Sequence, residues 1–129
     1  MKTIAICGAI KFYEGMEDWA RFLEENGVKV YYPKNEFQSV WENGTEGERR
    51  ELAYKLAVDY FELIKKSDVI FVYNPGGYLG NSTTLEVGCA YGCDKPVWAL
   101  EKDEDDLARD VLFQGYYPTK EALLTALKE

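Results

Sequence analysis

The stretch DVIFVYNPGGYLGN, residues 68–81, is the part of the chain that decides the fold. Its first half is a near-continuous run of β-branched and aromatic residues, which is typical of a strand covered by other elements on both faces. Its second half contains three glycines and a proline and therefore breaks regular structure. The stretch predicts a central strand of a parallel sheet that ends in a tight, glycine-rich loop.

Strands and helices alternate on both sides of this stretch. The patterns of apolar residues predict strands at 2–7, 28–32, 97–100 and, weakly, at the edge, 111–113. They predict helices at 15–25, 46–66 and 82–93, and a last amphipathic helix capped by Thr119, whereas residues 35–47 are predicted as a long loop. Right-handed crossovers between such elements give an α/β fold, a flavodoxin-like or Rossmann-like three-layer sandwich with a mostly parallel five-stranded sheet in the order 2-1-3-4-5.

Length and charge narrow the class of protein. The 129 residues are of a size common for one domain, and we expect a single domain over 1–129. The net charge of -8 argues against a nucleic-acid groove or an anionic membrane surface. No apolar run reaches the ~20 residues that cross a bilayer, and the start leaves no room for a signal peptide, so we expect a cytoplasmic protein.

The composition also limits the chemistry. Histidine is absent, which excludes Ser-His-Asp and Cys-His catalysis. The three cysteines cannot form a complete disulfide framework and are expected to be free thiols. No metal site or other cofactor is expected, and any acid, base or nucleophile must be a carboxylate, tyrosine, lysine or cysteine.

In a sheet of this order, ligands bind beyond the carboxyl ends of the strands, where the strand order reverses. The loops at 8–13 and 74–84 are therefore expected to face one another. Gly8 and Lys11 in the first loop suit a phosphate or another small anion, and the simpler alternative is an ordinary strand-to-helix turn with a solvated lysine. In the second loop, Tyr78 is suited to lie against a base or a sugar, and the alternative is a partly packed ring.

Glu86 has two competing explanations. Thr83 and Glu86 have the spacing of a capping box, in which the glutamate only starts a helix. Alternatively, Glu86 points into the cleft and attacks or stabilises the anomeric carbon of a nucleoside. Asp59 could supply a second carboxylate and Tyr60 a phenol. The simpler alternative is that both residues lie on the surface of the helix.

Three motifs together resemble one family. They are CGAIK at residues 7–11, SDVI at 67–70, and LEVGCAY at 85–91 before Lys95 and Pro96. In this order they look like the nucleoside 2-deoxyribosyltransferase-like superfamily, including the 2'-deoxynucleoside 5'-monophosphate N-glycosidases. The chain departs from the family pattern at Tyr60, where an aspartate is common, and at Ala9, where a small serine is common.

The resemblance implies cleavage of the bond between deoxyribose and base, with Glu86 as the catalytic carboxylate, and Asp59 and Tyr60 stay catalytic candidates from their place in the long helix. It implies that Gly8, Ala9, Ile10 and Lys11 contact the 5'-phosphate or 5'-hydroxyl, with Ser82 and Thr83 or Thr84 as added donors. The second loop adds Asn74, Gly77, Tyr78 and Asn81 as candidate substrate-binding residues. The expected partner is a small nucleoside or nucleotide. Apolar residues on the acidic surface, together with the family habit of completing a site from a neighbouring subunit, suggest a homodimer or a larger homo-oligomer.

The activity itself stays open at this point. Water as acceptor gives hydrolysis, and a second base gives transfer. A non-catalytic nucleotide-binding or sensor domain of the same fold is the main alternative. A flavin-binding module ranks last, because the first loop lacks the run of Ser and Thr hydroxyls expected around a flavin phosphate.

Overall fold

The computed structural model describes residues 1–35 and 37–129, and within them the chain forms one parallel five-stranded sheet. The strands are β1 (Ile4–Cys7), β2 (Val30–Tyr31), β3 (Val69–Val72), β4 (Val97–Ala99) and β5 (Gly115–Tyr116). Their order is β2-β1-β3-β4-β5, and every neighbouring pair is parallel. The expected α/β three-layer sandwich with the order 2-1-3-4-5 is confirmed.

Helices cover both faces of the sheet. They are α1 (Tyr13–Glu25), α2 (Gln38–Asn43), α3 (Glu46–Lys66), α4 (Asn81–Gly92), α5 (Leu107–Asp110) and α6 (Lys120–Lys128), with single 3-10 turns at Ile10–Phe12 and Pro75–Gly77. Among the described residues, none of these helices combines the length and the apolar character that crossing a membrane requires.

The core is divided by the sheet into two apolar clusters. On one face, α1 and α6 pack against side chains that include Ile6 and Phe71. On the other face, α3 and α4 pack against alternate residues of the same strands, such as Cys7 and Val72. All four residues of β1 and of β3 are fully buried, because successive side chains point to opposite faces and each face is covered by helices. The doubly covered strand predicted from DVIFVY is therefore β3.

The loop predicted at residues 35–47 is only partly a loop. Residues 38–43 form α2. Most of its side chains are exposed and it has no apolar stripe, so no periodicity in the sequence predicted this helix. Residue 36 lies outside the described residues. A capping box then starts α3, with the Thr45 hydroxyl accepting from the Glu48 amide at 3.1 Å and the Glu48 carboxylate accepting from the Thr45 amide at 3.0 Å.

The edge strand predicted at 111–113 is wrong, and β5 follows at Gly115–Tyr116. The apolar run belongs to the end of α5, where the Leu112 and Phe113 amides donate to the carbonyls of Arg109 and Asp110 at 3.0 Å. Phe113 is buried under this turn, which explains its apolar character without a strand. The strand that pairs with β4 is only two residues long and contains a glycine, so it carries almost no β signal.

Replacing Phe71 by alanine tests the core directly. Its ring is fully buried in β3 and stacks on Trp19 with 5.3 Å between ring centroids. We expect Phe71→Ala to lower the free energy of unfolding by about 3–5 kcal/mol through lost burial and a cavity. Leu107→Ala, at a side chain that is 71% exposed, is the control and should change it by less than about 0.5 kcal/mol. Urea unfolding measures both, and equal effects would contradict the two-sided core.

Candidate active site

The first loop of the site is held against the end of β3 by a close backbone approach. Gly8 follows β1, and a Cβ atom at this position would lie 2.8 Å from both the Tyr73 carbonyl oxygen and the Met16 sulfur. Only glycine fits without displacing the backbone. Ala9 then leads into the 3-10 turn that carries Ile10 and Lys11, both of which are exposed. The turn therefore presents these residues to solvent beside the end of β3.

The second loop is held in place by the segment that follows β4. Asn74 is fully buried, and its side-chain oxygen accepts from the amides of Leu100 at 3.2 Å and Glu101 at 3.0 Å, while its amide group donates to the Glu101 carbonyl at 2.9 Å. Gly77 has a φ of 80°, and a Cβ atom there would lie 2.6 Å from the Lys102 carbonyl oxygen. Both predicted substrate-binding residues thus contact the segment after β4.

The two loops meet where the topology predicted. The Lys11 ammonium nitrogen lies 3.6 Å from the centroid of the Tyr78 ring, and the Phe12 ring contacts the same tyrosine edge-on at 6.0 Å. Tyr78 remains 42% exposed. Lys11 makes no ion pair with a carboxylate among residues 1–35 and 37–129, and its ammonium lies against the rings of both Tyr78 and Phe12.

The helix α4 begins without a side-chain cap. Its N-cap is Gly80, so the first-turn amides of Asn81, Ser82 and Thr83 have neither a helical partner nor a capping side chain. Asn81 and Ser82 are exposed, whereas Thr83 is buried. Such uncapped amides favour the binding of an anion.

The capping-box explanation of Glu86 is wrong. The helix starts two residues before Thr83, so neither Thr83 nor Glu86 occupies a capping position. The Thr84 hydroxyl already has two hydrogen-bond partners. It donates to the Gly80 carbonyl at 2.9 Å and accepts from the Arg109 guanidinium at 3.2 Å. Of the predicted hydroxyl donors, Ser82 is the exposed one.

Glu86 is a half-buried carboxylate on the sheet side of α4. The neighbouring residues Val87 and Ala90 are buried in the cluster that also contains Cys7. Burial raises the pKa of Glu86 from its ordinary value of 4.5 to about 7, and the nearby Cys7 thiol acts in the opposite direction. Near neutral pH the side chain therefore populates both its protonated and its ionised form.

Asp59 and Tyr60 are adjacent in α3, but their side chains lie in different environments. Asp59 is exposed. Tyr60 is buried, its hydroxyl donates to the Ile6 carbonyl, and its pKa is raised well above the ordinary value by burial and by the nearby Cys7 and Glu86. The structure thus brings Tyr60 close to Glu86, with its phenol bonded to the main chain of β1. The catalytic roles of both residues stay predictions.

A cavity of about 360 Å³ opens at the same end of the sheet, beside the start of α1. Its walls include Lys11, Phe12, Tyr13, Asn35, Tyr73 and Pro75. Lys11 belongs both to this cavity and to the contact with Tyr78. Glu86 does not line the cavity, because it is on α4, which covers the opposite face of the sheet.

A buried ion pair supports the start of α4, and sequence reasoning missed it. The Asp103 carboxylate is fully buried and accepts from the Arg109 guanidinium at 2.6 Å, while Arg109 also reaches Thr84. The amides of Asp105 and Asp106 donate to the same carboxylate at 3.1 Å. No group of three or more potential metal ligands occurs among the described residues.

Removing Asp103 should loosen this support. In Asp103→Ala the guanidinium and two amides lose their acceptor, and we expect unfolding free energy to fall by about 3 kcal/mol or more. Asp18→Ala removes an ion pair whose aspartate side chain is 65% exposed and should cost no more than about 1 kcal/mol. Denaturant titrations of both variants measure the difference. Equal costs would contradict a supporting role for the buried pair.

The raised pKa of Glu86 also has a consequence for stability. Because the folded state holds this proton more tightly than the unfolded state, it binds more protons between about pH 4.5 and pH 7, so stability falls as the pH rises through this window. Glu86→Gln should remove this part of the fall, whereas Glu62→Gln on α3 should not. Unfolding at about pH 5 and about pH 8 gives the slopes. An unchanged slope in Glu86→Gln would exclude the raised pKa.

Comparison with solved structures identifies similar folds. A 2-deoxyribosyltransferase from Bacillus psychrosaccharolyticus matches with a TM-score of 0.60 and 20% identity, covering 95% of this chain and 90% of the other. A conserved protein from Enterococcus faecalis V583 matches with a TM-score of 0.57 and 17% identity, covering 99% of this chain and 98% of the other. No protein-family model and no curated protein sequence matches the chain. The chain therefore has a nucleoside 2-deoxyribosyltransferase-like fold.

Proposed function

We propose that this chain cleaves or transfers the N-glycosidic bond of a nucleoside or nucleoside 5'-monophosphate, with Glu86 acting at the anomeric carbon. The observation that carries the proposal is the half-buried carboxylate of Glu86, whose pKa of about 7 keeps part of it ionised at neutral pH. The similar fold of the 2-deoxyribosyltransferase supports the class of reaction.

The chemistry needs a carboxylate because the sugar becomes electron-poor as the bond breaks. The base leaves with the electron pair of the bond between its nitrogen and the anomeric carbon, and an oxygen of Glu86 bonds to that carbon or stabilises its positive charge. The acceptor then attacks the same carbon and Glu86 is released, while the proton that the acceptor loses balances the one that the departing base takes up. Water as acceptor gives the free sugar, and a second base gives a new nucleoside.

The 5' end of the substrate would bind between the two loops. The uncapped amides of Asn81, Ser82 and Thr83 and the Lys11 ammonium supply positive potential without a competing carboxylate in contact with Lys11 among the described residues. Gly8, Ala9 and Ile10 bring the backbone of the first loop to the same place. A 5'-phosphate is the group best matched to these donors.

Tyr78 would contact the sugar or the base. Its ring is partly exposed and lies against the Lys11 ammonium. Lys11, which would bind the 5' end, would therefore hold in place the Tyr78 ring that binds the rest of the substrate. Asn74 and Gly77 would contribute indirectly, because they hold the second loop against the segment after β4. Asp59 and Tyr60 remain candidates for handling the proton of the base or orienting the sugar.

A non-catalytic nucleotide-binding domain is the second candidate. One observation favours it: the Tyr60 phenol is bonded to the Ile6 carbonyl, and Asp59 is exposed, so neither is presented to Glu86 as a free acid or base. The donors of the two loops would bind a nucleotide equally well without any reaction.

We further propose a single domain that works as a homodimer or larger homo-oligomer in the cytoplasm, with no metal or redox cofactor. The exposed apolar side chains of α3 and α4 support self-association: they are Tyr54, Leu56, Val58, Leu85 and Tyr91. The three free cysteines agree with a reducing compartment.

Release of free base from a panel of nucleosides and 5'-monophosphates, with and without an acceptor base, tests the activity. We expect the 5'-monophosphates to react faster than nucleosides, because only they use the donors at Lys11 and α4. Glu86→Gln should lower kcat/KM by at least about 10²-fold while the protein stays folded. Glu62→Gln, at an exposed glutamate of α3, is the matched control and should react like the wild type.

The acceptor base separates the two reactions, since transfer requires it and hydrolysis does not. Absence of turnover across the panel, together with thermal stabilisation by a 5'-monophosphate, would support the binding domain instead. Unchanged turnover in Glu86→Gln would exclude Glu86 from the chemistry.

A further inference from the structure

Arg109 joins the segment after β4 to the first turn of α4. Its Nε donates to one oxygen of the Asp103 carboxylate at 2.6 Å, and its Nη2 donates to the other oxygen at 3.3 Å. Its Nη1 donates to the Thr84 hydroxyl at 3.2 Å. The Asp103 side chain is fully buried, and that of Arg109 is only 21% exposed. The planar guanidinium is therefore held between acceptors on two different parts of the chain.

Asp103 is in turn attached to the edge of the sheet. The Asp110 carboxylate accepts from the Asp103 amide at 3.0 Å and from the Tyr116 hydroxyl of β5 at 2.7 Å. A continuous series of hydrogen bonds thus runs from β5 through Asp110, Asp103 and Arg109 to Thr84. The position of Thr84 is set by the sheet as well as by its own helix.

The far end of this series is the N-cap of α4. The hydroxyl and the amide of Thr84 both donate to the Gly80 carbonyl, at 2.9 Å and 3.0 Å. This carbonyl and the Asn81 amide belong to one planar peptide group, so a bond that holds the carbonyl also fixes the direction of the amide. The uncapped amides of Ser82 and Thr83 follow in the same turn. Arg109 therefore influences the direction of donors that it does not touch.

We propose that Arg109 is the positioning residue of the 5'-phosphate site. Through Thr84 it holds the first turn of α4 so that the uncapped amides point at the phosphate, and it thereby sets the preference for 5'-monophosphates over nucleosides. The inference rests on the proposed function for its ligand, because the phosphate is proposed to bind at this turn. It adds a specificity determinant that lies outside the contacts of the substrate.

A purely structural role is the alternative, in which Arg109 only balances the buried charge of Asp103. Two guanidinium nitrogens contact Asp103, and they suffice for that balance. The third nitrogen reaches a different helix and ends on the hydroxyl that bonds the N-cap carbonyl. A lysine at position 109 would keep the charge but, as a compact ammonium, would not reproduce this fork.

The matched variants separate the charge from the bridge. Arg109→Lys keeps the charge, Thr84→Val removes the hydroxyl, and Thr84→Ser retains it. Thr125→Val is the control, because the Thr125 hydroxyl makes the same kind of bond on α6, to the Glu121 carbonyl at 3.1 Å. Calorimetric titration compares the common 2'-deoxynucleoside 5'-monophosphates with the matching nucleosides.

We expect Arg109→Lys and Thr84→Val to weaken binding of the 5'-monophosphates about fivefold, the effect of one lost hydrogen bond, and to leave binding of the nucleosides unchanged. Thr84→Ser and Thr125→Val should bind both like the wild type. Equal weakening of monophosphates and nucleosides would show a merely structural role and overturn the inference. If Arg109→Lys folds poorly, the comparison of Thr84→Val with Thr84→Ser still decides.

The double variant shows whether Arg109 acts through Thr84. If it does, Arg109→Lys with Thr84→Val should bind 5'-monophosphates no more weakly than either single variant. Independent contacts with the phosphate would instead multiply to about 25-fold, which would contradict the inference.

These binding measurements are separate from turnover. A wild type that prefers 5'-monophosphates but turns over none would contradict the proposed reaction, and the affinities of the variants would still support or overturn the role of Arg109. A wild type that cleaves nucleosides but shows no preference for 5'-monophosphates would overturn this inference and leave the proposed reaction intact.

Discussion

The burial of one carboxylate, Glu86, at the carboxyl end of a parallel sheet is the constraint on which the arrangement of the site depends. A carboxylate taken out of water becomes less acidic, and here the pKa is raised to about 7. The nearby Cys7 thiol of β1 acts in the opposite direction and favours the ionised form. Apolar packing around Val87 and Ala90 keeps water away from the same group.

The role proposed for Glu86 also requires rigid loops. A carboxylate acts efficiently only on a ligand that is held in a fixed geometry, so the loops that would hold the ligand must not move. The side chain of Asn74 fastens the second loop to the segment after β4, and the Arg109 ion pair with Asp103 fastens the start of α4. Gly8 and Gly77 allow the close backbone contacts that these attachments need.

Most of the fold was predictable because it depends on local patterns. The run at residues 68–73 marked β3, the capping residue Thr119 marked the start of α6, and the alternation of elements predicted the order 2-1-3-4-5. The pattern Thr-x-x-Glu shows where this reasoning ends. At Thr45 and Glu48 it is a real capping box, whereas the same spacing at Thr83 and Glu86 lies inside α4, because the helix begins at Asn81.

The arrangement of the candidate site was predictable only at the level of topology. Parallel strands place loops 8–13 and 74–84 together, and the contact between Lys11 and Tyr78 shows that they meet. The bonds of the Asn74 side chain to the segment after β4 and the pair of Asp103 with Arg109 leave no periodicity in the sequence. Such contacts are known only once the chain is folded.

The most direct test of the account is a crystal structure of Glu86→Gln with a 2'-deoxynucleoside 5'-monophosphate bound. The account predicts the phosphate at Lys11 and the first turn of α4, and the anomeric carbon within about 3.5 Å of the side chain at position 86. A nucleotide whose sugar lies instead in the cavity between Tyr13 and Tyr73, away from position 86, would contradict it.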